Sequence, residues 1–468
     1  MIDLTVAPQR IHVVGVGGAG MSAIALVLST MGHRVTGSDQ RASAMLDRLA
    51  AAGVHVTVGA APDDAAAADL VTSSTAIPSD DADLVAARSA GVPTISRATM
   101  LAAICATRPT LAVAGTHGKT TTSSLLALVL ESAEFDPSFI IGGDVSQLGT
   151  GARWGSGEWF IAEADESDGT FLELPRVAAI VTNVEPDHLE HYGGFDGLRD
   201  AFDRFVLETD GPVVVCVDDP LTRELVGRVG ASVGRGGAGR LVTYGTSPDA
   251  DYHMADVVEG GREITWVVAR TGQSPIDLRL SAPGLHNARN AMAATALALE
   301  LGASAEAAAA ALGSFEGVAR RFEFRGTAEG VTFVDDYAHL PTEVAAAVEA
   351  AKGGGWERVV GVFQPHRFSR TEALWASFAD SFDGLDQLVV CDIYPSGEAP
   401  RAGITAKLVV NAVLDAHPWS NVAWCPARAD LIAYLSVRLR AGDLCLTLGA
   451  GDLTTLPDEL IAALGAGR

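Results

Sequence analysis

The stretch "LAVAGTHGKTTTSSLLALVL", Leu111 to Leu130, constrains this chain more than any other. An apolar run breaks at Gly115 and resumes after Thr120 with the helical spacing of Leu125, Leu126, Val129 and Leu130. The pattern G-x-x-x-x-G-K-[ST] of a phosphate loop is shortened here. Val113 stands where its first glycine would be, so only Gly115 opens the turn. A strand, a glycine turn and a helix in that order put backbone N–H groups at a helix start, where phosphate can sit. In such a turn the lysine reaches the terminal phosphates and the next hydroxyl holds Mg²⁺, roles that fall to Lys119 and Thr120 behind Gly115 and Gly118. The alternative is a glycine helix entry with an exposed lysine, and the flanking strand and helix argue against it.

The same alternation extends both ways and predicts an α/β fold of three domains in series, 1–108, 109–318 and 319–468. At 468 residues the chain fits that count, given roughly 100–200 residues per domain. In the first part, "RIHVVGVGGAGMSAIALVLSTMGHRVTGSD" reads as a βαβ unit ending in Asp39. Gly15, Gly17 and Gly20 fit G-x-G-x-x-G, which lets backbone approach a diphosphate, and an acid about 20 positions on can hold a ribose. Short units ending near "LVTSSTAI" and "VPTISR" continue the pattern, and "CATRPT" reads as a linker. In the second part strands recur at "EWFIAEAD", "VAAIVTNV" and "PVVVCVD", the rhythm of a mostly parallel sheet. In the third they recur at "VTFVDDYA", "RVVGVFQP", "QLVVCDIY" and "DLCLTLGA".

Hydrophobic residues make up 48% of the chain and charged ones 19%, a globular composition. A net charge of -25 argues against a nucleic-acid partner, which would need a basic face to displace counterions. Any anionic ligand must therefore be met by local positive charge. The five cysteines are scattered, with no C-x-x-C, which is reduced-compartment usage. The start "MIDLTVAPQR" lacks the basic and apolar regions of a signal peptide. Alanine-rich runs are too short to span a bilayer, so a cytoplasmic chain with no membrane segment is expected.

A magnesium nucleotide needs hard oxygen ligands from neighbouring strand ends. Glu163, Asp165, Glu166 and Asp168 stand at the end of one apolar strand, and Asp187 and His188 at the end of the next. A solvated acidic loop would account for three of the four acids. Glu163 differs, because it lies within the strand-end pattern. Asn287 and Asn290 sit one turn apart at a helix entry, where carboxamides read a base edge or act as caps. Arg320, Arg321 and Arg325 concentrate positive charge at a domain junction, as a hinge arginine reaching phosphate or as a solvated basic strand. His366, Arg367 and Arg370 form a cationic cluster suited to a carboxylate or phosphate, with Asp335, Asp336, Tyr337 and His339 as an acid-rich partner loop.

Taken in order, "GVGGAGMS", "GTHGKTTT", "EADESD", "TNVEPDHL", "HNARNA", "RRF", "DDYAH" and "FQPHR" resemble the motif series of the Mur ligase family and cover nearly the whole chain. The resemblance implies a Rossmann-like N-terminal domain holding UDP, a central ATPase domain and a Rossmann-like C-terminal domain carrying the amino acid. It implies ATP and Mg²⁺ as cofactors and UDP-N-acetylmuramate and L-alanine as substrates, in a monomer or homodimer. The nucleotide would lie on Gly115, Thr116, His117, Gly118, Lys119, Thr120 and Thr121, with Asn290 and Asn287 at the adenine end. Mg²⁺ would lie on Thr120, Glu163 and His188, and an arginine of the Arg320–Arg321 pair would reach the phosphates. The UDP-sugar would lie on Gly17, Gly18, Ala19, Gly20, Met21 and Asp39, with Ser74 and Arg97 nearby. Tyr337, His339, His366, Arg367 and Arg370 would face the muramyl and amino-acid end.

Two positions refine the resemblance. Several sister ligases carry a carbamylated lysine after the "DH" motif, whereas this chain has Asp203 and Arg204 in that region, which favours the alanine-adding branch. Leu340 stands where the family commonly has a second histidine. A ligase that attaches a ready-made tripeptide to the same UDP-sugar is the near alternative. An NAD-dependent oxidoreductase built on the first glycine motif is the distant one, and it would leave "GTHGKTTT" without work.

Overall fold

The structure is a computed structural model that describes residues 2–5, 8–74, 76–167, 169–187, 189–233, 239–260 and 263–465. Contacts divide the chain into two compact units. The first comprises residues 1–255, 267–276 and 289–312, and the second residues 256–266, 277–288 and 313–468.

Within the first unit, the N-terminal sheet has five strands, ordered His55–Val58, Arg34–Asp39, Arg10–Val14, Leu70–Ser73, Thr94–Ser96. All pairings are parallel. The order reverses beside Arg10–Val14, the place where open α/β sheets receive ligands. Gly15, with φ +73°, turns the chain from that strand into helix Ala19–Thr30. Ile24, Val27 and Leu28 of this helix are at most 1% exposed, and full burial of each such side chain stabilises by roughly 1.5–3 kcal/mol.

The central sheet of the same unit is centred on Thr110–Ala114, which pairs in parallel with Ala178–Val181 and with Phe160–Glu163. Val213–Cys216 and Leu241–Gly245 extend it in parallel on one side. On the other side Ser138–Val145 pairs in parallel with Phe160–Glu163 and turns back antiparallel as Thr150–Arg153. The phosphate-loop helix runs Lys119–Ser132, one residue earlier than its apolar pattern indicates, and every residue from Thr120 to Leu130 is buried. A helix buried all round needs small residues for close approach. Thr122, Ser123 and Ser124 supply them, and Ser124 Oγ satisfies itself by donating to Thr120 O (2.7 Å).

The second unit holds a six-stranded sheet, ordered Glu323–Ala328, Val331–Asp336, Asp443–Leu448, Arg358–Phe363, Gln387–Val390, Val422–Trp424. Only the first pairing is antiparallel. Among the described residues no helix is long and apolar enough to cross a membrane.

Candidate active site

The glycines of the loop after Thr110–Ala114 are demanded by space as well as by angle. A Cβ on Gly115, at φ +130°, would stand 2.1 Å from Thr182 Oγ1. On Gly118, at φ +80°, it would stand 2.4 Å from Asn290 Oδ1. L-residues rarely adopt such angles, and here they would also collide. The loop is stitched to the chain after Ala178–Val181: Thr116 N donates to Asn183 O (3.1 Å) and His117 N to Asn183 Oδ1 (2.8 Å). Glu185 N donates in turn to Thr116 Oγ1 (2.8 Å). The amides of Thr116 and His117 are therefore engaged. The intrahelical ladder begins at Thr122 N to Gly118 O (2.9 Å), so the first-turn amides of Lys119, Thr120 and Thr121 precede it. No acidic side chain lies in that turn to compete for an anion.

Lys119 Nζ donates to Gly115 O (2.7 Å), Thr116 O (3.2 Å) and Glu166 Oε2 (2.7 Å). Burial alone would push its ammonium down, but the neighbouring Glu166 and Asp165 carboxylates outweigh this and hold its pKa above the ordinary lysine value. Burial likewise pushes the Glu166 carboxyl up, against the pull of Lys119. Glu166 is 3% exposed, so for this residue the reading of a solvated acidic loop is overturned. Its signal in the sequence was its position just past a buried strand.

Glu163 ends its strand as expected. Its Oε1 accepts from Thr120 Oγ1 (3.0 Å) and its Oε2 from Gly142 N (2.8 Å). A hydroxyl and a carboxylate so close are hard oxygen donors of the kind Mg²⁺ takes. Among the described residues there is no cluster of three or more His, Cys, Asp or Glu side chains that could hold a metal. His188 and Asp168 lie outside the described residues.

Glu163 also lines a cavity of about 920 Å³ shared with Asp165, Ala19, Gly20, Arg97 and Arg48. The glycine loop of the N-terminal sheet and the carboxylate of the central sheet thus open into one space. Asp39 is drawn into the loop itself: its Oδ2 accepts from Gly17 N (2.9 Å) and its Oδ1 from Arg41 N (3.2 Å). A Cβ on Gly17 would lie 2.8 Å from that carboxylate. Gly18 is the exposed N-cap of helix Ala19–Thr30. Met21 is 2% exposed and packs in the core. Ser74 Oγ accepts from Ala76 N (3.0 Å), a local turn. The Arg97 side chain passes 3.3 Å from where a Gly20 Cβ would be.

The two asparagines separate. Asn287 Nδ2 donates back to Pro283 O (2.8 Å), the local role of a cap, whereas Asn290 faces Gly118. Arg289, which the sequence reading did not single out, gives Nε to Asp218 Oδ2 (2.7 Å). Asp218 follows strand Val213–Cys216, at the same kind of strand end as Glu163.

In the second unit, the expected acid-rich loop is in fact a clamp. Asp335 is fully buried and accepts from Thr447 Oγ1 (2.6 Å) and Thr454 Oγ1 (2.6 Å), with Arg320 Nε at 3.5 Å. Asp336 accepts from Phe322 N (2.7 Å) and Ala338 N (2.7 Å), and burial raises its pKa to about 6 against the opposing charge of Arg321. Arg320 is held by Gly449 O (2.8 Å) and Gly451 O (3.2 Å). Arg325 is held by Thr454 O (3.0 Å) and Asp458. Both Arg320 and Arg321 lie over the Tyr337 ring, 4.7 Å and 5.0 Å from its centre.

The cationic cluster is brought together. The His339 and His366 rings are 5.5 Å apart, His339 Nδ1 faces Tyr337 O (3.0 Å), and His366 Nδ1 faces Arg370 Nη1 (3.1 Å). Burial, then the charges of His339, Arg370 and Arg367, lower the His366 pKa to about 4. Burial also lowers that of His339. Arg367 sits at φ +54°, its N–H held by Tyr394 O (2.8 Å) and its guanidinium 3.8 Å from Glu398. Tyr394 and Glu398 were not foreseen, although they follow strand Gln387–Val390 and the strand-end rule would have reached them. Leu340 is 7% exposed and occupies the N-cap of helix Pro341–Lys352.

The glycine loop with its lysine, the Thr120–Glu163 pair and the cleft that Glu163 lines are the parts of a nucleotide-dependent enzyme. The chain matches the Mur ligase family, catalytic domain over residues 10–109, the Mur ligase middle domain over 113–298 and the Mur ligase, glutamate ligase domain over 320–451. It is 44% identical over 464 residues to the UDP-N-acetylmuramate–L-alanine ligase of Bradyrhizobium sp. (strain ORS 278), covering 97% of this chain and 98% of that protein. It is 43% identical to the enzyme of the same name from Rhodopseudomonas palustris (strain HaA2), with the same coverage. The crystal structure of UDP-N-acetylmuramate-alanine ligase from Thermotoga maritima superposes with a TM-score of 0.82 at 29% identity, over 98% of this chain and 100% of that one. A murein peptide ligase from Psychrobacter arcticus gives 0.71 at 25% identity, over 98% and 99%. This chain belongs to the Mur ligase family.

Proposed function

We propose that the chain joins L-alanine to the carboxylate of UDP-N-acetylmuramate at the expense of ATP, in cytoplasmic peptidoglycan precursor synthesis. The observation that carries this reading is the shared 920 Å³ cleft, which runs from Gly20 and Arg97 to Glu163. A substrate with a diphosphate at one end and a reacting carboxylate at the other fits that layout. End-to-end similarity to alanine ligases supports the choice of amino acid.

The reaction passes the ATP γ-phosphate to the muramyl carboxylate, giving an acyl phosphate. The alanine amine then attacks the carbonyl carbon and inorganic phosphate leaves. Little covalent work falls to the protein, so catalysis is positioning and charge neutralisation. Thr120 and Glu163 would hold Mg²⁺, with His188 as the further ligand the family resemblance implies, and the ion would supply neutralisation of phosphate charge. Lys119 and the first-turn amides of Lys119, Thr120 and Thr121 hold the phosphates, with Gly115, Thr116, His117 and Gly118 shaping the loop. Asn290 borders the adenine end. Arg320 is bound to the carbonyls of Gly449 and Gly451, which leaves Arg321 as the arginine of the pair assigned to the phosphates. Arg97 with Gly17, Gly18, Ala19 and Gly20 receives the UDP-sugar. Arg367 and Arg370 take the amino-acid carboxylate, beside Tyr337, His339 and a neutral His366.

ADP release with UDP-N-acetylmuramate tests the reading, each candidate amine being added in turn. Turnover with L-alanine is expected. Turnover with a tripeptide and none with L-alanine would replace this function by that of the recycling ligase.

A further inference from the structure

An ammonium group has three N–H donors. In Lys119 each of the three has an acceptor: Gly115 O, Thr116 O and Glu166 Oε2. The lysine that must meet the phosphates therefore has no N–H to offer as it stands. Two of its acceptors, Gly115 O and Thr116 O, belong to the loop that carries the lysine itself. The third comes from a different segment, 47 positions away. Its charge-assisted contact is the strongest of the set, since bonds with one ionised partner are about twice as strong as neutral ones and pairs with both ionised gain more.

Glu166 is also held still. Its carbonyl accepts from Gly169 N (3.1 Å) and from the Tyr192 hydroxyl, and its side chain is 4% exposed. These contacts fix the Glu166 backbone, and its enclosed side chain leaves the carboxylate little room to move with the lysine toward a phosphate.

We propose that Glu166 is a positioning residue that parks Lys119 in the nucleotide-free enzyme, so that nucleotide binds by displacing the lysine from Glu166 and leaves as Glu166 recaptures it. The proposal rests on the assignment of Lys119 to the phosphates. Glu166 lowers nucleotide affinity by the fraction of time it holds the lysine, and in return it speeds ADP release.

The test is ADP affinity, by calorimetry on the full chain, for the parent, Glu166→Gln, Lys119→Ala and the double variant. If the parked state dominates, Glu166→Gln is expected to tighten ADP binding by about tenfold, because the cost of populating the competent state is removed. A residue with only a structural role would weaken binding when replaced. In the Lys119→Ala background the same change is expected to do nothing. Glu166→Asp, which keeps the charge at shorter reach, is expected to fall between, and it decides the matter should Glu166→Gln fail to fold. Unchanged or weaker ADP binding by folded Glu166→Gln, with Lys119→Ala still impaired, overturns the parking role alone. If Lys119→Ala binds ADP like the parent, the phosphate assignment falls first.

Discussion

Lys119 and His339 carry the sharpest consequences at the scale of single residues. Lys119→Ala removes the one ammonium from the loop, and loss of a donor aimed at developing charge costs on the order of 10²–10³ in kcat. The fold is expected to survive, because the helix behind it is held by burial from Thr120 to Leu130. Steady-state kinetics beside a urea melt checks both halves. At the other end, Leu340 can neither donate nor accept a hydrogen bond, so the proton chemistry of that loop rests on His339. Leu340 fills a buried N-cap position, and Glu343 supplies the carboxylate that accepts from His339 N (3.0 Å) and Leu340 N (3.2 Å). His339→Ala is expected to lower kcat/KM by about 10² or more, within the range of general acid–base effects. Leu340→His is expected to stay within a few-fold of the parent. A gain of orders of magnitude in Leu340→His would mark the chain as an impaired or diverted ligase.

Among the elements, the phosphate loop is the most tightly specified. Thr182 Oγ1 donates to His117 O (2.6 Å) and stands where a side chain on Gly115 would go. Gly115→Ala combines left-handed strain of roughly 1–2 kcal/mol with overpacking of typically 1–3 kcal/mol. A loss of about 2–5 kcal/mol in urea unfolding is expected, together with weaker nucleotide binding. An unchanged midpoint would mean that the loop relaxes freely. The clamp in the second unit shows a different economy. Asp335 and Asp336 are spent on holding Phe322, Ala338 and two threonines. Their motif is rich in acid because the junction needs internal acceptors for backbone and hydroxyl donors, not because the loop faces water.

For the whole molecule, the buried titratable groups set how stability answers to pH. His366 falls from 6.5 to about 4 on folding. The unfolded chain therefore takes up a proton that the folded one refuses, and stability is lost as pH falls through this window. Asp336 rises from 3.8 to about 6, so the folded chain keeps a proton that the unfolded one releases. Its contribution is present at low pH and is lost as pH rises through that window. Urea midpoints between these limits are expected to fall less on acidification in His366→Gln than in the parent. Asp336→Asn is expected to fall more, since it lacks the opposing term. Parallel curves for all three proteins would show that neither group titrates as its surroundings dictate.

Much of this was open to a reader of the chain alone. The alternation of apolar runs with helical spacing, and the glycines between them, is local chemistry: period and backbone freedom are carried by neighbouring residues. The α/β class, the glycine loops, Glu163 at its strand end and the histidine–arginine cluster follow from it. What the residues of the acidic and cationic segments do was decided only in three dimensions. Glu166 meets Lys119 across 47 positions, and Asp335 meets Thr454 across 119. Arg320 and Arg321 are adjacent, chemically identical and both over the Tyr337 ring, yet Arg320 is bound as well to the backbone carbonyls of Gly449 and Gly451. A charged side chain in a sequence carries no sign of which partner will desolvate it. Burial and pairing depend on which distant strands come side by side, and only the packed sheets determine that.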